Sequence, residues 1–420
     1  MANYLKRYAE AEIERALASS GAVLIAGPKF CGKTTTAMQF AKSAISLNTA
    51  ATIGLAKMEP GNMLQGDVPR VIDEWQTVPD IWNEVRAKVD QVGKFGQFIL
   101  TGSSTPADKT QIHHSGAGRI TTVKMLPMSL SESQDSKKTV SLTELFTNQN
   151  AKVFDMNEGH QLSDSAFFVC RGGWPLSLNS NRKVALDVTK NYYKGLFNFE
   201  YSENEKFRNK KPEILQMVLR SYARNISTEA SIQTIIADVT ASNRRTMSAN
   251  TFEDYMDALR DLFIIEDIEA WNPNLRSKTV VRTTPTRHFV DPSIACAALK
   301  ISPAMLMRDL NSFGLLFEDM VVRDLKAYVS TLGGSVMHYR DSRGLECDAV
   351  VVLDDGRWAL VEVKLGGDDL VNEGAAHLLK MQRDIAEGNG PEFMMVITAT
   401  GPAYRRPDGV LVVPLNCLTA

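Results

Sequence analysis

Gly27-Pro28-Lys29-Phe30-Cys31-Gly32-Lys33-Thr34 decides how the rest of the chain is read. It fits G-x-x-x-x-G-K-[ST], a loop whose backbone N–H groups cradle phosphates. Its surroundings fit as well. Ala22-Val23-Leu24-Ile25-Ala26 precedes it as an apolar run and reads as a buried parallel strand. After it, Ala37, Phe40, Ala41, Ala44 and Ile45 fall on one face of a helical pattern. In this setting Lys33 is placed to reach β- and γ-phosphates, and the Thr34 hydroxyl to ligate Mg²⁺. Gly27, Pro28, Lys29, Phe30, Cys31, Gly32 and Thr35 complete the candidate cofactor-binding loop.

Working outward, Val71-Ile72-Asp73-Glu74 ends a short apolar stretch in two acids. The first can hold Mg²⁺ through water, and the second can orient and deprotonate an attacking water. Pro79 opens a helical pattern through Trp82, Val85 and Val89. Phe98-Ile99-Leu100 is another buried strand ending in Thr101-Gly102-Ser103-Ser104, where Thr101 or Ser103 can hydrogen-bond a γ-phosphate or the water. Arg119, in a glycine-rich turn, is a candidate arginine finger acting in cis or across a subunit interface, and it competes with an ordinary surface charge. This alternation of strands and helices predicts an α/β fold: a mostly parallel sheet with helices on both faces. Ligands bind at the carboxyl ends of such strands, where Lys33, Asp73 and Thr101 all fall. Ahead of the loop, Leu5, Ala9, Ile13, Ala16 and Leu17 share a helical face.

With 420 residues the chain has room for several domains, and 44% hydrophobic and 23% charged residues are ordinary for a soluble globular protein. A formal net charge of −2 excludes a global pull toward nucleic acid or anionic membrane, so any DNA site must be a local patch. Five cysteines without a C-x-x-C pair point to a reducing compartment and against structural zinc. The N-terminus has no signal-peptide core and no run approaches a membrane span, so the expected location is the cytoplasm. The polar stretch Ser131–Lys138 reads as a linker. The expected domains are 1–135, 136–300 and 301–420.

The middle region reads as three helices: Ile214, Met217, Val218 and Tyr222 mark the first, and Ile232, Ile235, Ile236 and Val239 the second. Asn250 caps the third, with Glu253 at the capping-box position and a core face of Phe252, Met256, Leu259 and Leu262. The arrangement looks like a winged helix. Its third helix exposes Glu253, Asp254, Asp257 and Asp261 against Arg260, a face that repels DNA phosphates, although Arg244 and Arg245 precede it. Toward the C-terminus, Asp354-Asp355-Gly356 reads as a three-residue hairpin loop. If Leu353 pairs with Arg357, Asp348 lies opposite Glu362, with Lys364 two residues on and Glu318 on the helix before. Two such carboxylates can hold Mg²⁺ or Mn²⁺, and Lys364 can activate a water against a phosphodiester. The set resembles the PD-(D/E)xK nuclease pattern. Tyr339-Arg340-Asp341-Ser342-Arg343 is a candidate phosphate contact.

Gly27 to Thr35, Asp73-Glu74-Trp75-Gln76, Leu100 to Ser104, Gly118-Arg119 and Pro127-Met128-Ser129-Leu130 occur in order, and together they resemble a prokaryotic AAA-type P-loop ATPase family. Gly172-Gly173-Trp174-Pro175, His288-Phe289-Val290-Asp291 and Val410 to Leu415 resemble landmarks of that family's second half, a domain of unknown function. Lys29, Phe30, Trp75 and Leu126 depart from the family pattern, but none removes a catalytic group. The resemblance implies ATP binding with slow hydrolysis, and a C-terminal α/β part like restriction endonucleases. The expected function is therefore a Mg²⁺-dependent ATP-binding protein and ATPase joined to a nuclease-like domain. Its partners would be ATP, DNA through the C-terminal part, and further copies of itself, with no membrane. Two alternatives stand beside it: an ATP-gated metal-dependent nuclease, and a non-enzymatic module whose assembly state follows the nucleotide.

Overall fold

The apolar run before the loop is strand β1 (Ala22–Ala26) in a computed structural model that describes residues 4–103, 115–148, 150–198, 210–243, 247–273, 284–341, 343–385 and 390–420. Expectations for Ser104, Arg244, Arg245 and Ser342 lie outside these residues. The chain divides into two compact units, built mainly on Met1–Pro127 and on Met128–Phe197, Lys211–Met256 and Ile265–Ala420.

In the first unit helix α1 (Ala9–Ser19) leads into β1, and α2 (Lys33–Ala37) follows the loop. Next come β2 (Ser43–Ser46), α3 (Ala50–Met58), β3 (Arg70–Asp73), α4 (Asp80–Val92), β4 (Phe98–Gly102) and β5 (Ile120–Lys124). The five strands form one sheet in the order β2-β3-β4-β1-β5, and every pairing is parallel. Successive strand residues point to opposite faces. Val23, Ile25, Val71, Ile99 and Val123 accordingly pack with Ile13 and Ala16 of α1 and Ala37 of α2. Ile72, Phe98, Leu100 and Ile120 pack on the other side with Ala56 of α3 and Ile81, Val85 and Val89 of α4. Helices therefore cover both faces, as the alternation predicts.

One element differs from expectation. The helix after the loop does not run through Phe40, Ala41, Ala44 and Ile45. It closes after Ala37 in tight turns, with Gln39 N–H donating to Thr36 O (3.0 Å) and Phe40 N–H to Ala37 O (3.1 Å). Ala44 and Ile45 then pair with Val71 and Ile72 in β2. A four-residue parallel ladder along an edge of the sheet wins over a longer helix.

The second unit holds a seven-stranded sheet. Its strands are β6 (Phe154–Asp155), β7 (Gly334–Arg340), β8 (Glu346–Leu353), β9 (Trp358–Lys364), β10 (Met394–Thr398), β11 (Ala403–Arg405) and β12 (Leu411–Pro414). Their order is β6-β11-β12-β10-β9-β8-β7. Helix α10 (Leu310–Ser330) precedes the antiparallel run β7-β8-β9, and α11 (Asp368–Ile385) crosses over to β10, which pairs parallel with β9. The helices expected in the middle region are α6 (Pro212–Arg224), α7 (Ile232–Asn243) and α8 (Ala249–Asp261). Leu215, Val218, Leu219 and Tyr222 are buried on α6, Ile235 and Val239 on α7, and Phe252, Met256 and Leu259 on α8. The cap of α8 is Ser248, not Asn250: the Ser248 hydroxyl takes the Thr251 N–H at 3.1 Å, which moves the start of the helix and leaves Glu253 in its interior. Antiparallel bridges Ile265↔Phe289 and Ile268↔Thr286 follow α8.

The stretch expected as a linker is folded into this unit. Leu130 N–H donates to Asp324 Oδ2 (2.8 Å), Arg171 to Asp135 (2.7 Å) and Ser136 to Leu418 O (2.7 Å). Its serines and acids are partners for buried groups, so polarity here marks a hydrogen-bonded knot.

Candidate functional site

The parallel register builds the first site. It pairs Ser46 with Asp73 and Asp73 with Thr101, setting three polar side chains in one row at the carboxyl ends of β2, β3 and β4. Asp73 is the centre of the row. Its Oδ1 accepts from Thr34 Oγ1 at 2.7 Å and from Thr101 Oγ1 at 2.5 Å, and its Oδ2 from Ser46 Oγ at 2.9 Å. Lys33 is buried, and its Nζ donates to Pro28 O across the loop at 2.8 Å. The loop is fastened from behind: a Cβ on Gly27 would sit 2.1 Å from Met125 O, so only glycine fits there. Cys31 is buried with Sγ 3.5 Å from Met125 O, while Phe30 is exposed in a left-handed conformation and Gly32 holds φ 101°. Lys29 is half-buried, and Thr35 is exposed.

Glu74 follows Asp73 in a left-handed conformation that turns it away from the strand. Its Oε2 accepts from Gln76 Nε2 and from Ser103 Oγ, the latter at 3.3 Å. A carboxylate with one oxygen held and the other free to meet a water suits a general base. The donors also suit a hard cation, since the Thr34 hydroxyl and the Asp73 carboxylate offer oxygens on one side of the loop. Arg119 is not part of this group in its own chain. It precedes β5 at the amino end of the sheet, where its Nε meets Asp90 Oδ1 at 2.8 Å on an exposed surface.

The second cluster lies on the β8–β9 hairpin. Leu353 N–H donates to Arg357 O at 2.9 Å around Asp354-Asp355-Gly356, with Gly356 at φ 89°. The ladder runs from Trp358↔Val352 to Val361↔Ala349, and its next step sets Asp348 across from Glu362, as expected. Glu362 is only 2% exposed, with Lys364 Nζ at 3.2 Å and His377 Nδ1 at 3.8 Å. Burial and the nearby Asp348 push the Glu362 carboxyl up to about 8. Burial, then Asp348 and Glu362, hold the half-buried Glu318 well above the carboxylate range. Burial works against the charge of Lys364, but Glu362 and Asp348 outweigh it and raise its pKa.

The three acids do not converge as a ready ligand set. Among the described residues no three His, Cys, Asp or Glu side chains are arranged to hold a metal. Asp348 Oδ2 instead takes the Val363 N–H at 2.7 Å, and Glu362 turns to Lys364. Carboxylates crowded at low dielectric separate onto individual donors. A cavity of about 320 Å³ opens beside Glu318, Asp348, His338 and Arg340. The arginines expected to meet phosphate are ion-paired, Arg340 with Glu229 (3.1 Å) and Arg343 with Asp341 (2.9 Å).

Residues 19–134 match the family described as AAA domain. The match supports an ATP-binding, ATPase-like N-terminal part of the P-loop class. Residues 163–305 match Domain of unknown function (DUF8612), and residues 313–418 match Domain of unknown function (DUF4143). Two similar proteins, an uncharacterized protein of Mycobacterium bovis and one of Mycobacterium tuberculosis, are each 21% identical over 368 residues, 86% of this chain and 74% of the relative. No helix among the described residues is long and apolar enough to cross a membrane. All five cysteines are free and buried.

In the first unit, sequence reasoning missed Ser46 and gave Gln76 no role beyond its place in the Asp73-Glu74-Trp75-Gln76 motif. Ser46 ends β2, a strand hidden inside an apparent helix, and it shows only once the parallel register is known. The landmarks of the second unit prove to be packing devices. Gly173 N–H donates to Asp291 Oδ2 (2.8 Å), Trp174 Nε1 to Ser293 Oγ (3.0 Å) and Arg323 Nη1 to Asp291 Oδ2 (2.8 Å).

Proposed function

We propose that the chain is a Mg²⁺-dependent ATPase whose AAA domain works with Lys33, Thr34, Asp73, Glu74 and Thr101. The observation that carries this reading is the row in which Thr34, Thr101 and Ser46 all hold Asp73 beside the loop. Lys33 exchanges the Pro28 carbonyl for phosphate oxygens when ATP enters. Thr34 and Asp73 are the residues that would hold Mg²⁺, which, when bound, neutralises phosphate charge. Glu74, with Oε2 fixed by Gln76 and Ser103, takes a proton from the attacking water at Oε1. Thr101 keeps Asp73 aimed. Glu74→Gln should bind ATP like the wild type and hydrolyse it about 10²–10⁴ times more slowly, the usual worth of a general base. Lys33→Ala should lose ATP binding. Equal affinity in Lys33→Ala, read by calorimetric titration, would remove the loop from the reading.

A second reading concerns the C-terminal part. The run α10-β7-β8-β9-α11-β10, with Asp348 across from Glu362 and Lys364 two residues on, supports a nuclease-like fold. Asp348, Glu362 and Glu318 are the residues that would hold Mg²⁺ or Mn²⁺ there, once Asp348 leaves the Val363 N–H and Glu362 leaves Lys364. Lys364 would orient a water against a phosphodiester. Supercoiled and single-stranded DNA incubated with Mn²⁺, with and without ATP, should be cut by the wild type and spared by Lys364→Ala. Intact DNA under every condition, with ATP hydrolysis preserved, leaves this part as a binding platform. The winged-helix-like helices α6 to α8 enter as a structural module, since Asp254 and Asp257 are exposed on α8 and Arg260 is tied to Asp257 at 2.9 Å.

A further inference from the structure

We infer that the segment ahead of α1 is a clamp on the phosphate loop, with Arg7 and Tyr4 as positioning residues for ATP. The inference rests on the reading of this loop as an ATP site. Arg7 is only 4% exposed although it lies near the start of the chain, ahead of the residues that match the AAA domain. Its guanidinium spans two carbonyls: Nη1 donates to Cys31 O at 2.7 Å, and Nη2 to Leu126 O at 2.8 Å. Cys31 lies inside the loop, and Leu126 lies just beyond β5. Arg7 therefore ties the loop to the sheet strand against which Gly27 and Cys31 already rest.

The consequence for an anion follows from peptide geometry. In a trans peptide the C=O and the next N–H point in opposite directions. With Cys31 O pinned on Arg7, the Gly32 N–H is aimed to the other side. Gly32, at φ 101°, is the residue best able to swing away if the pin is lost. A loop that binds phosphate by N–H groups needs its carbonyls held back in this way. Arg7 does this with a fixed charge, and its planar fork reaches both carbonyls at once. A lysine ammonium would lack that fork.

Tyr4 extends the clamp to the helix that follows the loop. Its hydroxyl meets Thr36 Oγ1 at 3.1 Å and Glu10 Oε1 at 2.8 Å. Glu10 Oε1 also accepts the Arg7 N–H at 2.6 Å, which fixes the turn that aims the guanidinium. Thr36 lies two residues past Thr34, so the arm holds the chain on both sides of Lys33, at Cys31 in the loop and at Thr36 in α2.

The test uses the full chain, with Mg²⁺ and ATP titrated calorimetrically into wild type, Arg7→Ala, Arg7→Lys and Tyr4→Phe. Arg7→Ala should bind ATP at least about tenfold more weakly, the loss of a charge-assisted hydrogen bond. Millimolar guanidinium should restore part of that affinity, an effect that a merely structural role would not give. Arg7→Lys should fall between wild type and Arg7→Ala. Unchanged ATP affinity in a folded Arg7→Ala overturns the inference. Should Arg7→Ala fail to fold, Tyr4→Phe decides: a severalfold weaker affinity supports the clamp, and wild-type affinity overturns it. A wild type that does not bind ATP fails the ATP-site reading itself, and the clamp with it. Wild-type binding with equal binding by the variants fails the clamp alone.

Discussion

Glu362 is a carboxyl that the fold keeps from ionising. At 2% exposure, beside Asp348, it holds its proton to about 8, whereas in an unfolded chain it would lose it near 4.5. Between those values the folded state binds more protons than the unfolded one. Stability must then fall as pH rises, by at most about 1.4 kcal/mol per pH unit for one group. Urea midpoints of the second unit should therefore drop between pH 5 and pH 8. Glu362→Gln, which cannot ionise, should flatten that slope and be the more stable protein at pH 8. An unchanged slope in the variant would mean that Glu362 titrates normally. A buried acid that keeps its proton this far above the usual range is costly in a mere strand end, and this supports the proposal of a site at the cluster.

Among the elements, glycine positions separate packing from flexibility. A Cβ on Gly173 would lie 2.0 Å from Met128 O and 2.6 Å from Met128 N, both backbone atoms that cannot step aside. Gly173→Ala should cost the second unit about 1–3 kcal/mol or more in chemical denaturation. Gly195, inside the helix Arg182–Asn198, has nothing within 4 Å of a Cβ, so Gly195→Ala should be neutral or stabilise by up to about 1 kcal/mol. Equal effects at the two positions would contradict this account of the Gly172-Gly173-Trp174-Pro175 landmark. The same scale explains what was legible in the sequence. The β8–β9 hairpin could be placed to the residue because Asp-Asp-Gly fixes the loop and the loop fixes the register. The loop at Gly27–Thr34 carried its own motif. Strand β2 was not legible, because Ala44 and Ile45 suit a helical face as well as a strand, and only pairing with β3 decides between them. The knot at Ser129–Ser136 was misread for a similar reason: its polarity is satisfied by Asp324, Arg171 and Leu418, residues far away in sequence. Ser46 and Arg7 were invisible, and Gln76 carried a motif but no role, because each acts through a contact that exists only after folding.

At the scale of the whole molecule the parallel sheet gives the first unit a direction, and that direction bears on what Arg119 can do. The row of Ser46, Asp73 and Thr101 is level with Ile25 of β1, and Ala22 is paired with Ile120. Arg119 thus sits about four residues back along the strands, roughly 13 Å toward the amino end at 3.3 Å per residue. In its own chain it faces Asp90 at that end of the sheet, away from the row at Asp73. We propose a role in trans, in which Arg119 leaves Asp90 to complete the site of a second copy. Complementation tests this directly. Lys33→Ala has a disabled loop but keeps its arginine, and Arg119→Ala has the reverse. Each alone should hydrolyse ATP poorly, and an equimolar mixture should recover a fraction of wild-type turnover that grows with total protein concentration. If Arg119→Ala alone turns over ATP at the wild-type rate, and mixing adds nothing, the arginine is the surface partner of Asp90. Hydrolysis then proceeds on Lys33, Thr34, Asp73 and Glu74 of a single chain.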